Sequence, residues 1–245
     1  MPELQIVTSS ERHDLDDEAE AAFRPGWPEF IFHDPVSSEH IGKVETYFPQ
    51  FDVMLLEDGQ VVAGAWGVPI QWDAEVGTLP AGYDGALISA MTGHENKMPP
   101  DTLSIMAAAV RQDRQGAGLA GKVLTALRDR ATAAGLDRVI APVRPAVKDR
   151  YPLTPMANFA QWTRADGTHL DPWIRTHKRL GATVLGPAPR SMIITGTVSE
   201  WESWTQMAFP ETGQYVVPAA LDLVSIDREE DRGTYEETNL WMRHR

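Results

Sequence analysis

The chain has 245 residues, enough for one elaborated domain or two small ones and for a buried core without a disulfide or metal staple. It contains no cysteine, which excludes thiolate nucleophiles, cysteine-ligated zinc, iron–sulfur clusters and disulfide frameworks, and fits a reducing cytoplasm. With 22 Lys and Arg against 35 Asp and Glu, the formal charge of −13 repels phosphate backbones and anionic lipid, so neither nucleic acid nor membrane is an expected partner.

Residues 1–23 lack the basic-then-apolar order of a signal peptide, and no apolar run approaches the ~18 residues of a membrane span. Leu4–Thr8 alternates as a short strand, and 11–23 reads as a surface helix with Leu15, Ala19, Ala22 and Phe23 at helical offsets. A second helix is expected over 38–48, started by the cap candidates Ser37 and Ser38. The apolar runs 51–56 and Gln60–Ile70 flank Glu57-Asp58-Gly59, a hairpin signal. Residues 78–100 are rich in Gly, Pro and polar side chains and read as a loop. A buried strand over 103–110 precedes the clearest helix, 117–134, in which Leu119, Val123, Leu127, Ala131 and Ala134 share a face and Gly135 stands where a C-cap belongs. Strand 139–143 follows. Asp171-Pro172 then starts a short helix ending at Gly181. A strand over 191–198, a Trp-rich helix over 199–207 and strands within 216–226 and 238–242 complete the chain. No repeat or low-complexity linker interrupts it, so one continuous α/β fold with a mixed sheet is expected.

The most informative stretch joins strand 103–110 to helix 117–134, where bare amides and a helix N-terminus converge on one point and make an anion site. Gly116-x-Gly118-x-x-Gly121 matches a dinucleotide fingerprint, but five polar residues separate it from the strand, and the acidic residue expected after the next strand is absent. Gly116, Gly121 and Lys122 match most of a Walker A loop, but Val123 stands at the hydroxyl position that holds magnesium. A glycine-rich turn that only packs helix on sheet is a further reading.

Arg114-Gln115-Gly116-Ala117-Gly118 between a strand and a long helix resembles the pyrophosphate loop of the GNAT acyltransferase superfamily. Aligned on the glycines, Asp113 falls at the position where that family carries Gln or Arg. The order of elements over about residues 4–197 is similar as well. The resemblance implies a mixed, mostly antiparallel sheet flanked by helices, with central parallel strands splaying apart to form the acyl-CoA cleft. It implies one domain over 1–245, with an insertion at about 144–171 and an extension from about 199. Acetyl-CoA, or another acyl-CoA, is then the co-substrate, contacted by Ala108, Ala109, Val110, Arg114, Gln115, Gly116, Ala117, Gly118, Leu119 and Ala120, with no metal. Trp173 to Ala182 is similar to the family's late helix. His177 falls where many members carry the tyrosine that protonates the leaving thiolate, and Ala182 replaces the usual Phe. His177 is either that general acid, holding a proton near neutral pH, or a hydrogen-bonded core histidine.

Transfer from thioester to amine needs an anchored donor, an N–H for the carbonyl oxygen, a neutral amine and a proton for the thiol. For the base, Asp84, His94 and Glu95 precede the donor strand, Glu95 being the candidate chosen, with Glu45 weaker. In 144–171, Tyr151, Phe159, Trp162 and nearby Trp173 are candidates to wall a pocket, with Arg144, Lys148, Arg150 and Arg164 as anion contacts. Asp227–Asp231 and Glu236-Glu237 read as a solvated acidic face. The implied enzyme is a cytoplasmic N-acetyltransferase acting on a small-molecule amine, with oligomeric state open and a homodimer compatible. A non-catalytic acyl-CoA-binding or interaction module is the alternative.

Overall fold

The computed structural model describes residues 3–244. β1 (Leu4–Thr8) pairs antiparallel with β2 (Asp52–Glu57), which turns through Asp58 and Gly59, both at positive φ, into β3 (Gln60–Ile70). Between β1 and β2 lie α1 (Asp16–Phe23), two 3-10 turns (Arg24–Gly26 and Glu29–His33) and α2 (Pro35–Tyr47). Asp34, rather than Ser37 or Ser38, caps α2: its carboxylate accepts the Ser37 amide at 2.8 Å, and Pro35 fills the first turn.

The segment 78–100, expected as a loop, instead carries α3 (Gly82–Glu95). Its glycines argued against a helix, but its apolar face buries Ala86, Leu87, Ala90 and Met91, and that burial decides the conformation. Gly82 sits at φ +63, and a Cβ there would stand 2.2 Å from the Ser191 hydroxyl oxygen, so only glycine lets the helix begin against that residue.

β4 (Thr102–Val110) runs antiparallel to β3, with a register shift at Trp66/Gly67 that leaves Met106 as an extra residue between Ile105 and Ala107. α4 (Leu119–Ala133) returns along the sheet with Val123, Leu124, Leu127 and Ala131 fully buried. β5 (Arg138–Val143) then pairs parallel with β4, but only from Thr102–Arg138 to Ser104–Ile140. Beyond Ser104 the two strands separate.

α5 (Met156–Phe159) and α6 (Pro172–Arg179) follow, the latter capped by the Asp171 carboxylate, which accepts the amides of Trp173 and Ile174 at 2.8 and 3.0 Å. β6 (Thr183–Gly196) starts well before residue 191, because Gly186, Pro187 and Pro189 hide an irregular strand with two register shifts. α7 (Val198–Thr205) opens with a capping box of Thr197 and Glu200. β7 (Gly213–Tyr215), β8 (Val224–Asp227) and β9 (Arg232–Arg243) finish the described chain. The sheet order is β1-β2-β3-β4-β5-β9-β8-β7, with β6 on β9; all pairs are antiparallel except β4 with β5. The fold is therefore the mixed, mostly antiparallel α/β sheet flanked by helices that was expected. The main core packs Val53, Leu55, Leu87, Leu124 and Leu127 together, each worth ~1.5–3 kcal/mol on burial. A second cluster of Phe30, Trp201, Phe209 and Tyr235 seats α7 on β9.

Candidate active site

Where β4 and β5 part, a cavity of about 400 Å³ opens. Ile105, Met106, Ala107 and Ala108 of β4 form one wall, and Ala141 to Arg144 at the end of β5 form the other. The edge of β4 facing β5 has no strand partner beyond Ser104, so its backbone polar groups face the gap. The bulge beside Gly67 turns Trp66 toward this space, and Tyr83, Trp173, Trp27 and Phe32 complete an aromatic lining.

The floor is polar and comes from β9. Glu237 is fully buried; Arg144 Nε donates to its two oxygens at 2.9 and 3.1 Å, the Tyr235 hydroxyl donates at 2.8 Å and Asn239 Nδ2 at 2.7 Å. A carboxylate so saturated holds its arginine in place and has little capacity left to act as a base. Arg144 Nη2 donates to the Ala219 carbonyl at 2.6 Å. Burial works against the Arg144 charge, but Glu237 outweighs it and raises the guanidinium pKa. The expected solvated acidic face is thus wrong for Glu237: β9 alternates, sending Tyr235, Glu237 and Asn239 inward while Glu236 faces out to Arg190 at 2.7 Å. The Tyr-x-Glu-x-Asn spacing was the available signal. The Tyr83 hydroxyl accepts from Ser37 Oγ at 3.4 Å, and burial pushes its pKa well above that of a free phenol.

His177 lines the cavity from α6, and its ring is 1% exposed. Its Nδ1 lies 2.8 Å from Nε2 of His244, its Nε2 has no partner, and Trp173 meets it edge to face at 4.5 Å. Burial and the neighbouring imidazole push its pKa down to about 3. The expectation of a proton stored there near neutral pH is therefore corrected: the ring is neutral.

The other candidate catalysts fall elsewhere. Glu95 ends α3 with its side chain half exposed, 3.6 Å from Lys43, and does not line the cavity. His94 stacks on Tyr47 with centroids 4.0 Å apart, and Glu45 is exposed on α2. Asp84 is buried beside Asp34 rather than open to the cavity. In 144–171, Tyr151, Phe159 and Trp162 pack on one another at 4.8–6.2 Å as a local core. Lys148 is fully buried, with Nζ donating to the carbonyls of Tyr151 and Leu221 at 3.0 and 2.7 Å. Of that group only Arg144 and Trp173 reach the cavity.

In the loop that follows β4, Gln115, Gly116, Ala117 and Gly118 are exposed, and Leu119 opens α4. Gly116 and Gly118 take φ +81 and +76, with nothing within 4 Å of either missing Cβ. Among the described residues, the amides of Gly116 to Ala120 make no hydrogen bond within the chain, and the first turn of α4 carries no acidic side chain. The loop's side chains are committed to the protein: Arg111 to Asp113, Arg114 to Glu57, and Gln115 to the Val110 carbonyl. An open row of amides on a helix N-terminus fits a pyrophosphate, held by backbone rather than by side chains. No group of three or more His, Asp or Glu able to hold a metal occurs among the described residues.

The sequence model described as the acetyltransferase (GNAT) family matches residues 12–153. A curated relative, arginine N-acetyltransferase avaD of Aspergillus versicolor, is 28% identical over 280 residues, covering 99% of this chain and 94% of the relative. Among solved structures, the loading GNATL domain of CurA from Lyngbya majuscula superposes with a TM-score of 0.56 at 16% identity, over 96% of this chain and 98% of that one. The GphF GNAT-like decarboxylase in complex with isobutyryl-CoA gives 0.54 at 15% identity, over 99% and 100%. Both structures share the fold.

Proposed function

This chain belongs to the acetyltransferase (GNAT) family and is an N-acetyltransferase that uses acetyl-CoA; on that premise we propose that its acceptor is a small amine that also bears a carboxylate, a free amino acid such as arginine. The observation that carries this reading is the cavity lining, in which the guanidinium groups of Arg24 and Arg144 stand beside the aromatic side chains of Trp27, Phe32, Trp66, Tyr83 and Trp173. Arg144 is neutralised by Glu237, and Arg24, half exposed and paired with Glu29 at 3.3 Å and Glu20 at 3.8 Å, is the lining cation from which an acceptor carboxylate would accept hydrogen bonds. The aromatic walls suit a cationic side chain by cation–π contact. The activity named for the full-length relative supports the same acceptor class.

The donor is assigned to Ala108, Ala109 and Val110 of β4 and to Arg114, Gln115, Gly116, Ala117, Gly118, Leu119 and Ala120 of the loop, with backbone amides taking the phosphates. Acetyl-CoA supplies a thioester: the acceptor nitrogen forms the new C–N bond, the C–S bond breaks, sulfur takes the electron pair, and the proton released by nitrogen reaches sulfur through solvent. The unpaired edge of β4 offers amide donors for the carbonyl oxygen. A cytoplasmic location and a single functional unit over 1–245 belong to this reading, supported by the absence of cysteine and by the continuous sheet.

The test pairs arginine with agmatine, which is arginine without its carboxylate. The expected kcat/KM is at least about tenfold higher for arginine, the order of one charge-assisted contact. Equal or better use of agmatine refutes the carboxylate requirement and leaves acetyl transfer standing.

A further inference from the structure

A chain of hydrogen bonds runs from the first turn of α3 to the floor of the cavity. In β6 the register shifts between Ala188 and Met192; Arg190, within that shift, takes φ +53, and Ser191 follows it, packed against Gly82. Ser191 is fully buried, and its Oγ accepts the Tyr83 amide at 2.8 Å. A hydroxyl has one proton to give, and this one goes to Asn239 Oδ1 at 2.5 Å. The Asn239 amide is thereby turned so that Nδ2 donates to Glu237 Oε1 at 2.7 Å. The opposite orientation would set an amide oxygen against a carboxylate, acceptor against acceptor. Glu237 Oε2 accepts the Tyr235 hydroxyl, which in turn accepts the Leu221 amide at 2.8 Å. Both carboxylate oxygens are therefore held from the side away from Arg144.

Arg144 is then fixed at two of its three nitrogens. Nε donates to both Glu237 oxygens, at 3.1 and 2.9 Å, and Nη2 donates to the Ala219 carbonyl at 2.6 Å. A planar guanidinium held at two nitrogens has no freedom left at the third. Nη1 makes no hydrogen bond among the described residues, yet it is not enclosed: the side chain is 18% exposed and lines the cavity. Arg144 directly follows β5, on the wall that faces the unpaired edge of β4 across the gap. Glu237 balances its charge, so Nη1 suits an oxygen that arrives neutral and gains charge during reaction better than it suits a second carboxylate.

We propose that Arg144 is a catalytic residue whose Nη1 donates to the carbonyl oxygen of the acetyl thioester, from the wall opposite the β4 amides, and that Ser191 is the positioning residue that fixes it through Asn239 and Glu237. The proposal rests on the acetyl-transfer reading. As the acceptor nitrogen attacks, negative charge grows on that oxygen, and a donor already aimed at it stabilises the charge without reorganising. The acceptor carboxylate is left to Arg24.

The direct test is infrared spectroscopy of the full chain loaded with acetyl-CoA carrying carbon-13 at the carbonyl, with no acceptor present. Arg144→Lys keeps a cation beside Glu237 but loses the planar fork, so the carbonyl band is expected at higher frequency than in the wild type. With acceptor added, kcat is expected to fall ~10²-fold while acetyl-CoA affinity changes less than about twofold. Ser191→Ala is expected to move the band part of the way in the same direction, whereas a merely structural serine lowers the melting temperature and leaves the band in place. An unmoved band in folded Arg144→Lys overturns the proposal; joined to a raised KM for arginine, it gives Arg144 to the acceptor carboxylate instead. An unmoved band in Ser191→Ala removes the positioning role. If Arg144→Lys does not fold, NMR of the Arg144 guanidinium in the wild type decides: it is expected to shift with acetyl-CoA and not with CoA, and an equal response to both overturns the proposal. The spectrum needs no acceptor, so a protein that shows the expected bands but ignores arginine fails the acceptor reading alone. Failure to bind acetyl-CoA refutes both.

Discussion

Asp34 and Asp84 put two carboxyl groups into one buried site beside the cavity wall. Asp34 is fully buried as the α2 cap, and Asp84 accepts the Ile193 amide at 3.2 Å from the first turn of α3. Burial and the Asp34 charge raise the Asp84 pKa to about 8, so one proton is shared between the two groups near neutrality. An unfolded Asp titrates near ~3.9, so the folded state binds this proton more tightly. The stabilisation is complete below pH ~4 and is lost as pH rises through about 8. Asp52, raised to about 6 by burial and by Asp16 and Glu45, acts in the same direction at lower pH. The melting temperature is therefore expected to fall between pH 7 and 9, and Asp84→Asn, which keeps a donor toward Asp34 but cannot ionise, is expected to flatten that fall. A wild-type melting temperature that holds steady or rises from pH 7 to 9 would remove the shared proton from the account.

At the scale of elements, the proposed binding of the donor by the loop from β4 to α4 rests on the loop's shape. Gly118 at φ +76 serves as the N-cap of α4 without a side-chain cap, leaving the amides of Gly116 to Ala120 pointing outward. Gly118→Val puts a branched side chain into a left-handed backbone position and into the space a phosphate needs. Acetyl-CoA affinity by calorimetry is expected to drop at least about tenfold, since several charge-assisted amide contacts are disturbed together. Equal affinity in the two proteins would take the phosphates away from this loop. These elements were legible in the sequence because their signals are local: glycine spacing, the 3.6-residue period of α4 and the Asp171-Pro172 start of α6. α3 was not, since Gly82, Gly85 and Gly93 argue for a loop and only packing against β3, β6 and α2 makes it a helix. The irregular start of β6 was hidden in the same way by Gly186, Pro187 and Pro189.

Across the whole molecule, the cavity is a tertiary product. Its lining runs from Arg24 to Asn239, and no periodicity joins Trp27 to Glu237 or His177 to His244. The glycine loop between β4 and α4 could be read from one stretch of chain, whereas the polar floor of the cavity required knowing that β9 threads between β5 and β8 with β6 alongside. β9 is also what makes a catalytic cleft stable beside separated strands: it pairs with β5 at Ile140–Arg243 to Val143–Leu240, just where β5 has left β4. The central claim is that this cleft carries acetyl transfer to an amino-acid amine. The most direct measurement is mass spectrometry of arginine incubated with the protein and acetyl-CoA, with free thiol followed in the same sample. The account predicts acetylated arginine formed in step with thiol release; thiol release without acetylated arginine, or no release from a protein that binds acetyl-CoA, would contradict it.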